Sequence, residues 1–156
     1  MKKLSVLTFL FSLVLIALLS SSCSKEDIPV TFDLTGSWKV TSYEDLTAST
    51  IITKTESNSW LQFNNGDINI TFSSTDSFHG NINGIKVTNT FEGGYTIDGK
   101  GKIQISNYMQ TEVNEPDWGD YFNAITEIES YEVKGNSLKI YYTGKTKCIN
   151  FVKIDN

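Results

Sequence analysis

Ser77 to Met109 reads S-F-H-G-N-I-N-G-I-K-V-T-N-T-F-E-G-G-Y-T-I-D-G-K-G-K-I-Q-I-S-N-Y-M, and this run decides the fold. Short alternating segments are cut by Gly84, Gly93, Gly94, Gly99 and Gly101, and Tyr95, Ile97, Ile103 and Ile105 recur with period two. Period two places successive side chains on opposite faces of a strand, and the glycines mark where strands stop, so the run predicts an antiparallel meander.

Working back from Ser77, Trp60 to Phe63, then Asn64-Asn65-Gly66, then D-I-N-I-T-F predict a β-hairpin, because Asn-Gly supplies the positive φ of a tight primed turn. Ile51 to Thr55 predicts an edge strand. Trp38 to Tyr43 predicts the first strand, with Trp38, Val40 and Ser42 on one face and Lys39, Thr41 and Tyr43 on the other. Forward of the run, Pro116 precedes a different pattern. Trp118, Tyr121, Phe122, Ile125 and Ile128 recur at helical spacing, with Asp117 as the expected N-cap and Asp120 three residues on. This predicts one amphipathic helix of about three turns over residues 118–128. Strand patterns then close the chain, Y-E-V, L-K-I-Y-Y and C-I-N-F-V-K-I, separated by the turns K-G-N-S and T-G-K-T. The expectation is a mainly β fold, an antiparallel barrel or strongly curled sheet of eight or nine short strands with one helix.

The N-terminus is of another kind. Lys2 and Lys3, an apolar run from Leu4 to Leu19, then Ser20, Ser21 and Ser22 form the positive, apolar, small order of a secretory signal peptide. The apolar run is shorter than the roughly 20 residues a spanning helix needs. Cys23 directly after the small residues resembles the lipobox of bacterial lipoproteins, in which that cysteine is lipidated and becomes the mature N-terminus. Leu19 stands four residues before Cys23, where lipoproteins usually have leucine three before, which leaves cleavage after Ser22 without lipidation as the alternative. Ser24, Lys25, Glu26 and Asp27 resemble the export tag that sends some lipoproteins of Gram-negative bacteria to the cell surface; the plainer reading is a solvated linker. The expected organisation is a signal peptide at 1–22, a lipidated Cys23 with a flexible tether to residue 33, and one domain over 34–156. The expected location is the outer membrane, with a monomer moored by lipid.

Removing residues 1–22 from the 156 leaves 134, one domain's worth, with 11 lysines, no arginine and 18 acids, a net charge near −7. Clustered Lys and Arg bind phosphate backbones, so nucleic acid is excluded as a partner. With Cys23 lipidated, Cys148 has no partner and reads as a small buried hydrophobe in a strand. His79 is the only histidine, so no triad or multi-histidine metal site can be assembled around it. Glu112, Glu115, Asp117 and Asp120 match no EF-hand spacing and read as helix capping and dipole compensation. No catalytic residue, cofactor or metal is expected.

From Leu34 onward the chain resembles the META domain family, the type found in the heat-shock protein HslJ and many bacterial envelope lipoproteins. The resemblance is carried, in order, by L-T-G-S-W-K-V at 34–40, N-T-F-E-G-G-Y-T-I-D-G at 89–99, T-E-V-N-E-P at 111–116, the Tyr121 to Ile128 segment, S-Y-E-V-K-G-N-S-L-K-I-Y-Y at 130–142 and N-F-V-K at 150–153. Where members commonly carry two cysteines, this chain has Val87, Thr88, Asn89 and Glu115, and Asn89 is expected to brace a turn. Gly36 and Trp38 also resemble the Gly-x-Trp signature of lipocalins.

The resemblance implies a non-enzymatic interaction module for envelope maintenance or stress, acting through a protein partner. The alternative is a lipocalin-like carrier of a small apolar ligand. Aromatics are the resource for binding, Tyr131, Trp60, and above all Tyr108, Trp118, Tyr141 and Tyr142, with Tyr141 and Tyr142 facing opposite ways. A carrier requires a continuous apolar cavity of several hundred Å³, of the order of ordinary ligand pockets. A module requires a filled core and an exposed patch.

Overall fold

The computed structural model describes residues 30–154. The expected signal peptide at 1–22, Cys23 and the Ser24, Lys25, Glu26, Asp27 segment lie outside the described residues. Ten strands form one antiparallel sheet, β1 (Val30–Thr31), β2 (Gly36–Asp45), β3 (Thr50–Thr53), β4 (Asn69–Ser74), β5 (His79–Ile85), β6 (Thr90–Ile97), β7 (Ile103–Gln110), β8 (Ile128–Lys134), β9 (Ser137–Tyr142) and β10 (Lys147–Ile154). Their spatial order is β1-β8-β9-β10-β2-β4-β5-β6-β7, with the edge strand β3 paired to the end of β2. The expected meander is present as neighbouring antiparallel strands β4 to β7, with a β-bulge in the β6–β7 pairing between Glu92 and Gly94, opposite Asn107 (φ 50°). Sheet twist curls the row into a half-barrel. Its far ends come back together where Lys102 bridges Ser130 and Tyr131 N donates to Gly101 O at 2.8 Å.

The structured chain begins upstream of Leu34. Val30 and Thr31 pair with Lys134 and Val133, and Tyr131 Oη donates to Phe32 O at 2.8 Å, so the last residues of the expected tether belong to the fold. Trp38, Val40 and Tyr43 are all buried, which corrects the expected split of β2. Register against β10 slips between Asn150 and Phe151, where Thr41 is the extra residue of a β-bulge and donates its Oγ1 proton to Asn150 O. A bulge shifts the alternation by one, and that turns Tyr43 inward.

Two local elements differ from expectation. Trp60 to Phe63 is not a strand. Residues Glu56–Ser59 form one helical turn, α1, and Asn64–Gly66 a 3-10 turn, with Trp60, Asn64 and Asn65 all at positive φ. The Asn-Gly does turn the chain, but into a loop and not a hairpin. The helix after Pro116 is one α-turn, α2 (Asp117–Asp120), continued as 3-10 over Tyr121–Glu127. Its N-cap is Pro116, and Asp117 sits inside the first turn without capping. Trp118, Phe122, Ile125 and Ile128 face inward as expected, but Tyr121, expected on the same stripe, stands 43 % exposed, because the α-turn gives way to 3-10 there.

Candidate functional site

Registers divide the barrel into two ends. β1 enters beside the β8–β9 turn, where β10 finishes against Ser37. At the other end lie Asp45, Tyr142, Lys147, β3 and the helical segment after Pro116. This distal end carries the irregular backbone, and loops on a rigid sheet are where binding groups concentrate.

Three layers build it. Innermost is a buried polar cluster. Glu115 accepts from the backbone N–H groups of Thr88 and Asn89, and Lys86 Nζ donates to Asn123 Oδ1 at 3.0 Å with only 1 % of the lysine exposed. Burial pushes the Lys86 ammonium below the usual lysine value, while Glu115 and Asp120 oppose that shift. Above the cluster is an aromatic joint. Tyr43 Oη donates to Trp118 O at 3.0 Å, and its ring meets Trp118 edge-on at 4.9 Å and Tyr121 at 5.5 Å. Between Tyr43, Tyr121, Tyr142 and Ile52 opens a cleft of about 170 Å³ with Asp45, Thr50 and Lys147 on its rim. Hydrogen bonds from Ala48 N and the Thr47 hydroxyl hold the Asp45 carboxyl below the usual carboxylate range, so its rim charge is fixed. The outer layer is the Trp60 turn. α1 packs beside α2, and the left-handed Trp60 (φ 41°) then turns the chain so that Trp60, Leu61 and Phe63 stand 37 %, 38 % and 48 % exposed.

The four aromatics expected to form a binding surface are not one surface. Trp118 is wholly buried in the core, which corrects its assignment as a surface residue; helical periodicity marks the inward face, and Trp118 is on it. Tyr108 is half-buried and stacks on Phe91 at 5.7 Å. Tyr142 lines the distal cleft, and Tyr141 lies on the outer face with Lys139 and Glu132. Both are half-buried. Tyr131 is buried. Trp60 is the exposed one.

The reactive groups are held in structural roles. Cys148 is buried, its Sγ 3.5 Å from Glu44 Oε2, and burial pushes the thiol up to about 11. His79 Nδ1 lies 2.9 Å from Asp76 on an exposed turn. Among the described residues no three His, Cys, Asp or Glu side chains converge as a metal site requires. Glu115 turns inward, while Glu112, Asp117 and Asp120 are exposed.

A half-barrel with a side-chain-filled interior and an aromatic, acidic distal end defines a small all-β module. The chain belongs to the family described as Domain of unknown function (DUF4847), whose model matches residues 25–153. It is similar to a DUF4847 family protein from Bacteroides vulgatus ATCC 8482 whose crystal structure was determined at 1.00 Å, with 22 % identity, a TM-score of 0.57, and 78 % of this chain and 95 % of that one covered. At that identity the likeness shows the fold. No curated protein matches. The family match corrects the resemblances to the META domain family and to lipocalins, neither of which is matched. Several residues that carried them, Gly36 and Gly99 at positive φ and the inward aromatics Trp38 and Tyr95, are ones a small meander of this kind needs.

Proposed function

We propose that this chain is a non-enzymatic protein-interaction module, exported and moored to the outer membrane through lipid on Cys23, and acting through its distal end. The observation that carries the reading is the filled interior. Trp38, Phe72, Trp118, Phe122 and Tyr131 occupy the space a carried ligand would need. The distal cleft of about 170 Å³ falls short of the roughly 300 Å³ at which small-molecule pockets begin, and the larger hollows, of about 350 and 390 Å³, lie against β5 to β7 and are lined largely by exposed residues such as Asn83, Glu92 and Met109. This favours the module over the carrier. The role in envelope maintenance or stress rested on the META resemblance and goes with it.

The test is photo-crosslinking in the native host, with a photoactivatable residue in place of Phe63 and, as control, in place of Glu92 on the outer face of β6. A discrete adduct at 63 and none at 92 is expected. No adduct at either position, or the same adducts at both, overturns the reading.

A further inference from the structure

The distal end couples exposed apolar surface to one sign of charge. Glu56, Glu112, Asp117, Asp120, Glu127 and Glu129 stand exposed there, against a single exposed lysine, Lys145. The other lysines at this end are engaged. Lys54 Nζ is 2.6 Å from Asp67, Lys147 is 3.7 Å from Asp45, and Lys86 is buried. α1, which carries Glu56 and leads into Trp60, packs against α2, which carries Asp117 and Asp120 and leads into Tyr121.

We propose that this surface docks a basic segment of another protein, with lysines or arginines meeting the acidic rim and apolar side chains seated against Trp60, Leu61 and Phe63. Three other occupants fit less well. The chain's own tether enters at the opposite end; residues 24–29 reach about 20 Å at full extension, whereas β2, with 10 residues, alone spans about 33 Å of the barrel. A second copy in a two-fold dimer would set the same carboxylates against one another, and like-charge juxtaposition disfavours that pairing. A lipid surface lies on the tether side and repels carboxylates where it is anionic. A basic protein segment instead satisfies the rim and covers the aromatics. The Tyr43, Tyr121, Tyr142 cleft at the same end of the barrel has room for one long side chain.

The inference deepens the interaction reading and rests on it. Its test uses isotope-labelled residues 24–156 and a short synthetic peptide of lysine and leucine, with the glutamate-for-lysine peptide as control. Expected are amide shifts confined to residues 56–63 and 117–121, binding weakened at least ~10-fold by Trp60→Ala or Phe63→Ala, and similar weakening between about 0.05 and 0.5 M salt. Asp117→Lys with Asp120→Lys weakens it as well. Shifts spread over Glu92 and Glu132, equal binding of the glutamate peptide, or indifference to both apolar variants overturns the proposal. So does a Trp60-dependent dimer in sedimentation, or a Trp60 emission shift on anionic phospholipid vesicles. A crosslink at 63 in cells, with the peptide failing, sinks the basic chemistry and leaves the interaction reading standing.

Discussion

Glu115 Oε1 lies 2.8 Å from both the backbone nitrogen and the side-chain Nδ2 of Asn89 and accepts a proton from each. Asn89 Oδ1 in turn accepts from Val113 N and the Thr111 hydroxyl. Two residues thereby stitch the turn between β5 and β6 to the strap leading into α2. The expected brace at Asn89 is present, and its partner is the carboxylate at 115. Truncation in Glu115→Ala strands three N–H donors in a half-buried site and is expected to cost about 2–4 kcal/mol in urea unfolding. Glu115→Gln keeps an acceptor at Oε1 and is expected to cost less than half as much.

Lys86 is a buried cation compensated by Glu115, Asp120 and Asn123. Removing one partner of a compensated buried charge leaves the other unpaired, so Lys86→Met, which leaves Glu115 and Asn123 without their cation, is expected to destabilise by up to about 3–5 kcal/mol. The two sites are coupled. Glu115→Ala is expected to cost less by at least ~0.5 kcal/mol when Lys86 is absent than when it is present, and a double-mutant cycle measures the sign.

Of the three tryptophans, Trp38 and Trp118 are fully buried and Trp60 is exposed. Iodide is therefore expected to quench one emission component, the red-edge one, and Trp60→Phe to abolish that quenching with little change in stability. Trp118→Ala removes a filled core position and is expected to cost about 3–5 kcal/mol.

Cys148 combines burial with a raised pKa of about 11, and the thiolate is the reactive form. At pH 8 the thiol of native residues 24–156 is expected to stay silent toward a disulfide reagent that titrates one equivalent once urea is added. Prompt reaction of the folded protein contradicts this placement.

Stability is expected to plateau between about pH 5 and 8.5. Hydrogen bonds hold Asp33 (from Thr35), Glu44 (from Asn150), Asp45 (from Ala48), Asp76 (from Phe78) and Asp98 (from Lys102) below their ordinary values. Their contribution is complete above the unfolded carboxylate value of about 4 and disappears as pH falls below it. Burial raises Tyr108 and Tyr131 to about 12 and Cys148 to about 11. These groups contribute fully below their unfolded values, and the contribution is lost from about pH 9 upward as the unfolded chain ionises first. Lys86, with its value lowered, works the other way, and one lysine does not offset the others. Urea midpoints followed across pH by circular dichroism show a fall on both sides; a rise above pH 10 contradicts the account.

Strands β5 to β7 were legible from alternation, because each side chain's face follows from its parity. Gly99 and Gly101 do fall between strands, whereas Gly84, Gly93 and Gly94, expected to end strands, lie inside β5 and β6, and at Gly84 a Cβ would collide with Asn69 O. Parity fails at Thr41, since a bulge leaves no mark in composition. Trp60 to Gly66 carries both an apolar run and an Asn-Gly, the signals of a hairpin. Only the tertiary setting, with left-handed Trp60, Asn64 and Asn65, makes it a loop. In the helical segment Phe122 and Ile125 stand three residues apart, the period of the 3-10 form it takes, and that spacing was present in the sequence, whereas Ile128, next in the series, already opens β8. The distal site was less legible. Trp118 was legible as core from its place on the helical stripe, whereas nothing in the identity of Tyr141 or Tyr142 tells which of them reaches the cleft. The buried Lys86 had no local signal at all, because its compensating partners lie at 115, 120 and 123.

The central claim is that side chains fill the barrel and leave nothing inside to carry. Native mass spectrometry of residues 24–156, incubated with total envelope lipid extract, tests it most directly. The account predicts the bare polypeptide mass. A retained, stoichiometric small-molecule adduct that survives Trp60→Ala contradicts it and makes the half-barrel a carrier.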